Sequence, residues 1–173
     1  LKFNHTDITG ADFAREFALT SHRGESVGLT DFTGKVVVLF FGFMHCPDVC
    51  PTTLSDLNAI MERLGADAKH VQVIFVTVDP ERDTVEKLGA YMEAFNSSFL
   101  GLSGSVAEIL AVTQEFKVIH QKNEGSTPNS YSVDHSAGTY VFDQDGRVRL
   151  FVAYGADPDK LMSDILQLIK ARS

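Results

Sequence analysis

The stretch that decides the fold is Val36-Val37-Val38-Leu39-Phe40-Phe41-Gly42-Phe43-Met44-His45-Cys46-Pro47-Asp48-Val49-Cys50-Pro51-Thr52-Thr53. Its first half is an apolar, β-branched and aromatic run, which predicts a buried strand. Its second half opens a helical pattern, with Leu54, Leu57, Ile60, Met61 and Leu64 on one face and Gly65 as a natural stop. Proline is tolerated in a first helical turn and not in a helix interior, so the helix is placed to start near Pro51. The two cysteines of the chain, Cys46 and Cys50, therefore sit where a buried strand hands over to a helix. A helix N-terminus carries unpaired N–H groups and partial positive charge. Both favour thiolate, the form that attacks disulfides and binds metals. Cysteines four apart also share a helical face, with Cβ atoms about 5–6 Å apart.

Outward from this stretch, the apolar run Val71–Val78 predicts a second strand, buried on both faces as a central parallel strand is. Asp79-Pro80-Glu81-Arg82 ends it. A second helix is expected with Asp83 as cap and Glu86 three residues on, and with Val85, Leu88, Met92 and Phe95 inward. A short strand at 98–102 and a third helix from about Val106 to Phe116 follow, with Ile109, Leu110 and Thr113 on its buried stripe. His120 to Val133 is polar and reads as a loop. Thr139–Phe142 and Val148–Ala153 flank Asp143-Gln144-Asp145-Gly146, a hairpin signal. A closing helix buries Leu161, Ile165, Leu168 and Ile169. Upstream, Phe17–Thr20 and Ser26–Thr30 read as a hairpin around His22-Arg23-Gly24, while residues 1–16 show no clear period. The order is hairpin, βαβ, helical insertion, ββα. It predicts an α/β, thioredoxin-like fold with an N-terminal β-hairpin and a central helical and loop insertion. No repeat or linker divides the chain, so residues 1–173 are expected to form one domain.

Composition narrows the function classes. Of the 173 residues 44% are hydrophobic and 22% charged, ordinary for a globular chain. A net charge of −8 with no basic stripe argues against nucleic-acid binding. Two cysteines are too few for a disulfide scaffold, and no apolar run is long enough to span a bilayer. The chain starts at Leu1 without a signal pattern. It is expected to be the mature or truncated soluble portion of a protein whose anchor or targeting signal lies elsewhere.

A Cys46–Cys50 disulfide would close so short a loop that it would be a weak staple, which favours a redox or metal role for the pair. In a thioredoxin-like sheet the loop before the third core strand abuts the start of the first helix, so His135 becomes a neighbour of the cysteines. Two thiolates and one imidazole form a soft set that suits Cu(I) or zinc. Met44 reads as core packing, and His5, His22, His70 and His120 as solvated. Asp48 reads as a turn or capping group that can add an oxygen contact. Asp79 stands at the C-terminal end of a parallel strand, where α/β sheets place their sites.

Phe41-Gly42-Phe43-Met44-His45-Cys46-Pro47-Asp48-Val49-Cys50-Pro51, then Val78-Asp79-Pro80-Glu81-Arg82-Asp83-Thr84, then Val133-Asp134-His135-Ser136 resemble the Sco/SenC family. With Asp143 to Gly146 the resemblance runs in order from about residue 10 to the end. Met44 departs from it, since threonine is common there. The resemblance implies a copper chaperone that assists assembly of the binuclear CuA centre of cytochrome c oxidase, by copper transfer, by reduction of acceptor cysteines, or by both. It implies Cys46, Cys50 and His135 as ligands of copper, Cu(I) and also Cu(II), with Cys46 and Cys50 doubling as a redox pair and Asp48 and Asp79 in support. Implied partners are the CuA-bearing oxidase subunit, a copper donor and a thioredoxin-like reductant. The implied location is the bacterial periplasm, with an inner-membrane anchor. Three other readings stay open: a thiol–disulfide oxidoreductase, a Cys2His zinc site, and a copper or redox sensor acting through the 120–133 segment.

Overall fold

The computed structural model describes residues 2–44, 49–118, 120–123, 132–135, 138–153 and 155–171. An eight-stranded mixed sheet runs in the order β1-β10-β9-β4-β5-β6-β2-β3. The strands are β1 (Thr6–Asp7), β2 (Ala18–Ser21), β3 (Ser26–Gly28), β4 (Val36–Gly42), β5 (Val71–Thr77), β6 (Leu100–Ser103), β9 (Gly138–Phe142) and β10 (Val148–Ala153). A separate two-stranded ladder pairs β7 (His120–Asn123) with β8 (Ser132–His135). The helices are α1 (Val49–Leu64), α2 (Val85–Phe95), α3 (Val106–Glu115) and α4 (Pro158–Lys170).

The centre of the sheet is the expected βαβ unit. β4 and β5 pair in parallel from Val36↔Val71 to Gly42↔Thr77, and every residue of both strands is buried. A strand covered on both faces cannot alternate, which is why the apolar runs are continuous. β6 adds a further parallel strand and β9–β10 an antiparallel pair, with α4 packed on α1 and β4. This is the α/β, thioredoxin-like arrangement expected from the sequence. The N-terminal hairpin, β2–β3, docks antiparallel on the β6 edge.

One sheet face carries an aromatic cluster. The Phe116 ring stands 5.3 Å from Phe41, 5.1 Å from Tyr140 and 6.0 Å from Phe142, all near edge-to-face. Tyr140 O–H donates to the Phe116 carbonyl at 2.9 Å, so the buried hydroxyl is satisfied and the end of α3 is tied to β9.

The structure corrects several local expectations. α1 begins at Val49, two residues ahead of the expected start near Pro51, so Cys50 lies within its first turn. The cap of α2 is Thr84, whose Oγ1 accepts the Lys87 N–H at 3.3 Å, and not Asp83. Leu110 is 50% exposed, and the buried stripe of α3 runs through Ile109, Val112 and Thr113. A reciprocal box, with Ser105 Oγ taking the Glu108 N–H and Glu108 Oε1 the Ser105 N–H, starts that helix and fixes the stripe. The polar stretch 120–133 is strand at its two ends, and residues 124–131 lie outside those described. Residues 1–16, without visible period, supply β1, which pairs with β10.

Candidate metal and thiol site

β4 and β5 end, and β9 begins, at one edge of the sheet. The parallel ladder ends at Gly42↔Thr77, and one further bond runs from Val78 N–H to the Gly42 carbonyl at 2.8 Å. Beyond it the first segment continues through buried Phe43 and half-buried Met44 toward Cys46. Cys46 and Asp48 lie outside the described residues. The chain resumes at Val49, and Cys50 follows within the first turn of α1, where backbone N–H groups lack intrahelical partners.

The second segment leaves β5 at the same edge. Thr77, Asp79 and Asp83 are all buried there. Asp79 N–H donates to Thr77 Oγ1 at 2.9 Å, and Asp83 N–H donates to the Asp79 carbonyl at 3.0 Å. The Asp79 carboxylate accepts Arg82 Nε–H at 2.5 Å, an ion pair with both side chains almost fully covered. Asp79 thus stands at the expected edge. On the cysteine segment the Met44 N–H donates to Asp83 Oδ2 at 3.0 Å, and the same oxygen accepts the Thr77 hydroxyl at 2.6 Å.

β9 runs antiparallel to β4, from Phe142↔Val37 to Thr139↔Phe40. β9 therefore begins at the C-terminal end of β4, the end at which the cysteine segment begins. His135 is the last residue of β8 and pairs in register with His120. Among the described residues, no three His, Cys, Asp or Glu side chains form a metal-holding group.

Two residues depart from what the sequence predicts. Asp83 looked like a helix cap because Glu86 follows it, yet Thr84 beside it takes that role and frees Asp83 for the interior. His22 looked solvated. It is half-buried, its Nδ1 accepts the Gly101 N–H at 3.1 Å, and its buried Nε2 has no partner among the described residues. Burial holds its pKa below the ordinary imidazole value, Arg23 adds to that, and Glu93 opposes it.

Comparison with known proteins gives one answer. The SCO1/SenC family model matches residues 5–170. The bovine mitochondrial SCO2 homolog is 40% identical over 141 residues, covering 80% of this chain and 52% of that protein. A Rickettsia felis SCO2-like protein is 33% identical over 148 residues, covering 85% and 72%. The chain thus spans about half the length of its bovine relative. The solution structure of apo Sco1 from Thermus thermophilus superposes with a TM-score of 0.85 at 42% identity, covering 96% of this chain and 97% of that one. The copper-bound structure of Bradyrhizobium japonicum ScoI superposes with a TM-score of 0.79 at 36% identity, covering 88% and 97%. On the match across nearly its whole length, the chain belongs to the SCO1/SenC family.

Proposed function

We propose that this protein is a copper chaperone that carries one copper ion as cargo on Cys46, Cys50 and His135. The observation behind this reading is that β4 and β5 end, and β9 begins, at one edge of the sheet, in a chain 36% identical to a relative solved with copper bound. Two thiolates and an imidazole form a soft donor set, matched to Cu(I). The helix N-terminus beside Cys50 favours its thiolate, the form that ligates. The same ligands are the ones through which we read Cu(II) binding.

Copper release is then ligand exchange, in which a thiolate or imidazole of the acceptor adds before a donor ligand leaves. Oxidation of Cys46 and Cys50 to a disulfide removes two of the three ligands, so redox state gates loading. The reduced pair can also act on an acceptor disulfide. One thiolate attacks, a mixed disulfide forms, and the second thiolate displaces the acceptor's sulfur, leaving Cys46–Cys50 oxidised and the acceptor dithiol reduced. Asp79, paired with Arg82, supports the loop beside the site, and Asp48 lies between the ligating cysteines. The acceptor we assign is the CuA-bearing subunit of cytochrome c oxidase, with a copper donor upstream and a thioredoxin-like reductant to restore the dithiol. The setting we assign is the bacterial periplasm at the inner membrane. Among the described residues no helix is long and apolar enough to cross a membrane.

The test is an anaerobic Cu(I) titration against a competing chelator, with reduced protein, oxidised protein and His135→Ala side by side. One-to-one binding that is lost on oxidation and weakened in His135→Ala supports the chaperone. Equal binding by His135→Ala, or none by the reduced wild type, overturns it. The protein would then be treated as a dithiol reductase, and the Cys46–Cys50 potential measured.

A further inference from the structure

We infer that Asp83 is a positioning residue for the cysteine segment, acting with Thr77 through the backbone of Met44. This rests on the reading that Cys46 and Cys50 form the working pair. Asp83 is fully buried, and so is Thr77. The carboxylate oxygen Oδ2 accepts the Thr77 hydroxyl at 2.6 Å and the Met44 N–H at 3.0 Å. Its backbone N–H donates to the Asp79 carbonyl at 3.0 Å, so main chain and side chain are held from two sides. Its hydroxyl partner is in turn placed by the Asp79 N–H, which donates to Thr77 Oγ1 at 2.9 Å.

This arrangement has a cost that a merely local role does not explain. A buried carboxylate is expensive unless its lone pairs are filled, and an apolar residue of similar size would pack more cheaply. A helix cap would justify an aspartate here, but Thr84 is the cap. What the carboxylate does is bridge β5 to the residue two before Cys46. The β4–β5 ladder stops at Val78 N–H to Gly42 carbonyl, and beyond that point, among the described residues, no strand pairing fixes the path of β4's continuation. The Asp83–Met44 bond takes over where the ladder ends. Two residues span at most about 7 Å of chain, so holding the Met44 amide restricts where Cys46 can stand. Charge-assisted bonds are shorter and stronger than neutral ones, which suits a restraint of this kind.

The experiment uses the whole chain with Asp83→Ala, Thr77→Val and Thr77→Ser. Hydrogen exchange at the Met44 amide is read first, with amides of α4 as an internal control. Cu(I) affinity and the alkylation rates of the reduced cysteines follow. Asp83→Ala should expose the Met44 amide to exchange while α4 amides keep their protection. It should weaken Cu(I) binding about 10-fold, the usual scale when a group orienting a ligand is lost. Thr77→Val should act in the same direction by a smaller factor, and Thr77→Ser, which keeps the hydroxyl, should match the wild type. If Asp83→Ala fails to fold, Thr77→Val decides. Wild-type Met44 exchange together with Cu(I) affinity within about twofold of wild type, in whichever variant folds, overturns the inference. If wild-type protein binds no Cu(I), the chaperone reading fails by itself, and Met44 exchange with the cysteine alkylation rates still decides this one.

Discussion

The Asn4 N–H donates to Asp164 across 160 residues, 2.9 Å from Oδ1 and 3.1 Å from Oδ2. The same carboxylate accepts the His5 N–H at 3.1 Å and the Asn4 side-chain amide at 3.0 Å. Asp164 is fully buried on the inward face of α4, between Leu161 and Leu168. It fastens the segment leading into β1 and so closes the β10 edge. Asp164→Ala leaves two backbone donors without their charged partner and is expected to cost about 2–3 kcal/mol. Asp164→Asn, which keeps one acceptor oxygen, should cost less. Urea unfolding of the three proteins checks the order, and hydrogen exchange at Asn4 and His5 checks the cause.

Tyr140 gives a pH-dependent prediction. Burial raises its pKa from the ordinary 10.0 to about 12. In the folded protein the phenol keeps its proton up to that value, while in the unfolded chain it ionises near 10. The unfolded state therefore binds fewer protons in this window, and stability falls as pH rises from 10 to 12. Below 10 the contribution is complete. Tyr140→Phe should remove this part of the slope and lower stability at pH 7 by about 1 kcal/mol, the worth of the bond to the Phe116 carbonyl. Chemical unfolding at a series of pH values, wild type against variant, reads both effects.

His22 predicts a slope of the opposite sense. Its folded pKa lies below the unfolded value of 6.5, chiefly through burial. As pH falls through 6.5 the unfolded chain takes up a proton that the folded chain resists, so stability is complete above 6.5 and declines toward acid. His22→Gln keeps an acceptor for the Gly101 N–H and cannot titrate in this range. Its melting temperature should vary less than that of the wild type between pH 7 and 5, and equal slopes for the two proteins would refute the assignment.

The elements most legible in the sequence were those whose burial leaves a periodic trace. Val36–Phe43 and Val71–Val78 could hardly be other than central strands, because covering on both faces forces an unbroken apolar run. The cysteine segment was legible for the same reason, since its place between strand and helix follows from the run before it. Polar residues with interior roles were not. Asp164 sits within an inward stripe of leucine and isoleucine and breaks its pattern, and the partner that explains it lies 160 residues away. Asp83 was hidden by a neighbour with the same local signature, since Asp and Thr are both good caps and only packing chooses between them. Leu110 was misplaced because it adjoins Ile109 in sequence, whereas the stripe turns through Val112 and Thr113. His120 gave no sign of standing opposite His135, because pairing across a long polar connection depends on register, which local composition does not encode.

Gly138 opens β9, just downstream of His135, and nothing in its local sequence marks it as constrained. A Cβ at this position would run into Cε1 and Cζ of Phe151, closer than any real contact. Phe151 pairs with Tyr140 in the β9–β10 register, and their rings pack edge-to-face at 5.4 Å. Gly138→Ala therefore has to drive the Phe151 ring off Tyr140 or push the strand ends apart, at a cost of about 1–3 kcal/mol. The cause can be isolated by a double-mutant cycle. Phe151→Ala alone loses ring packing, but it also empties the space that the new methyl group needs. In the Phe151→Ala background, Gly138→Ala should cost at least about 1 kcal/mol less than in the wild type, a coupling of the size expected for residues in contact. Equal costs in the two backgrounds would place the constraint on Gly138 in the backbone rather than in the approach of the ring.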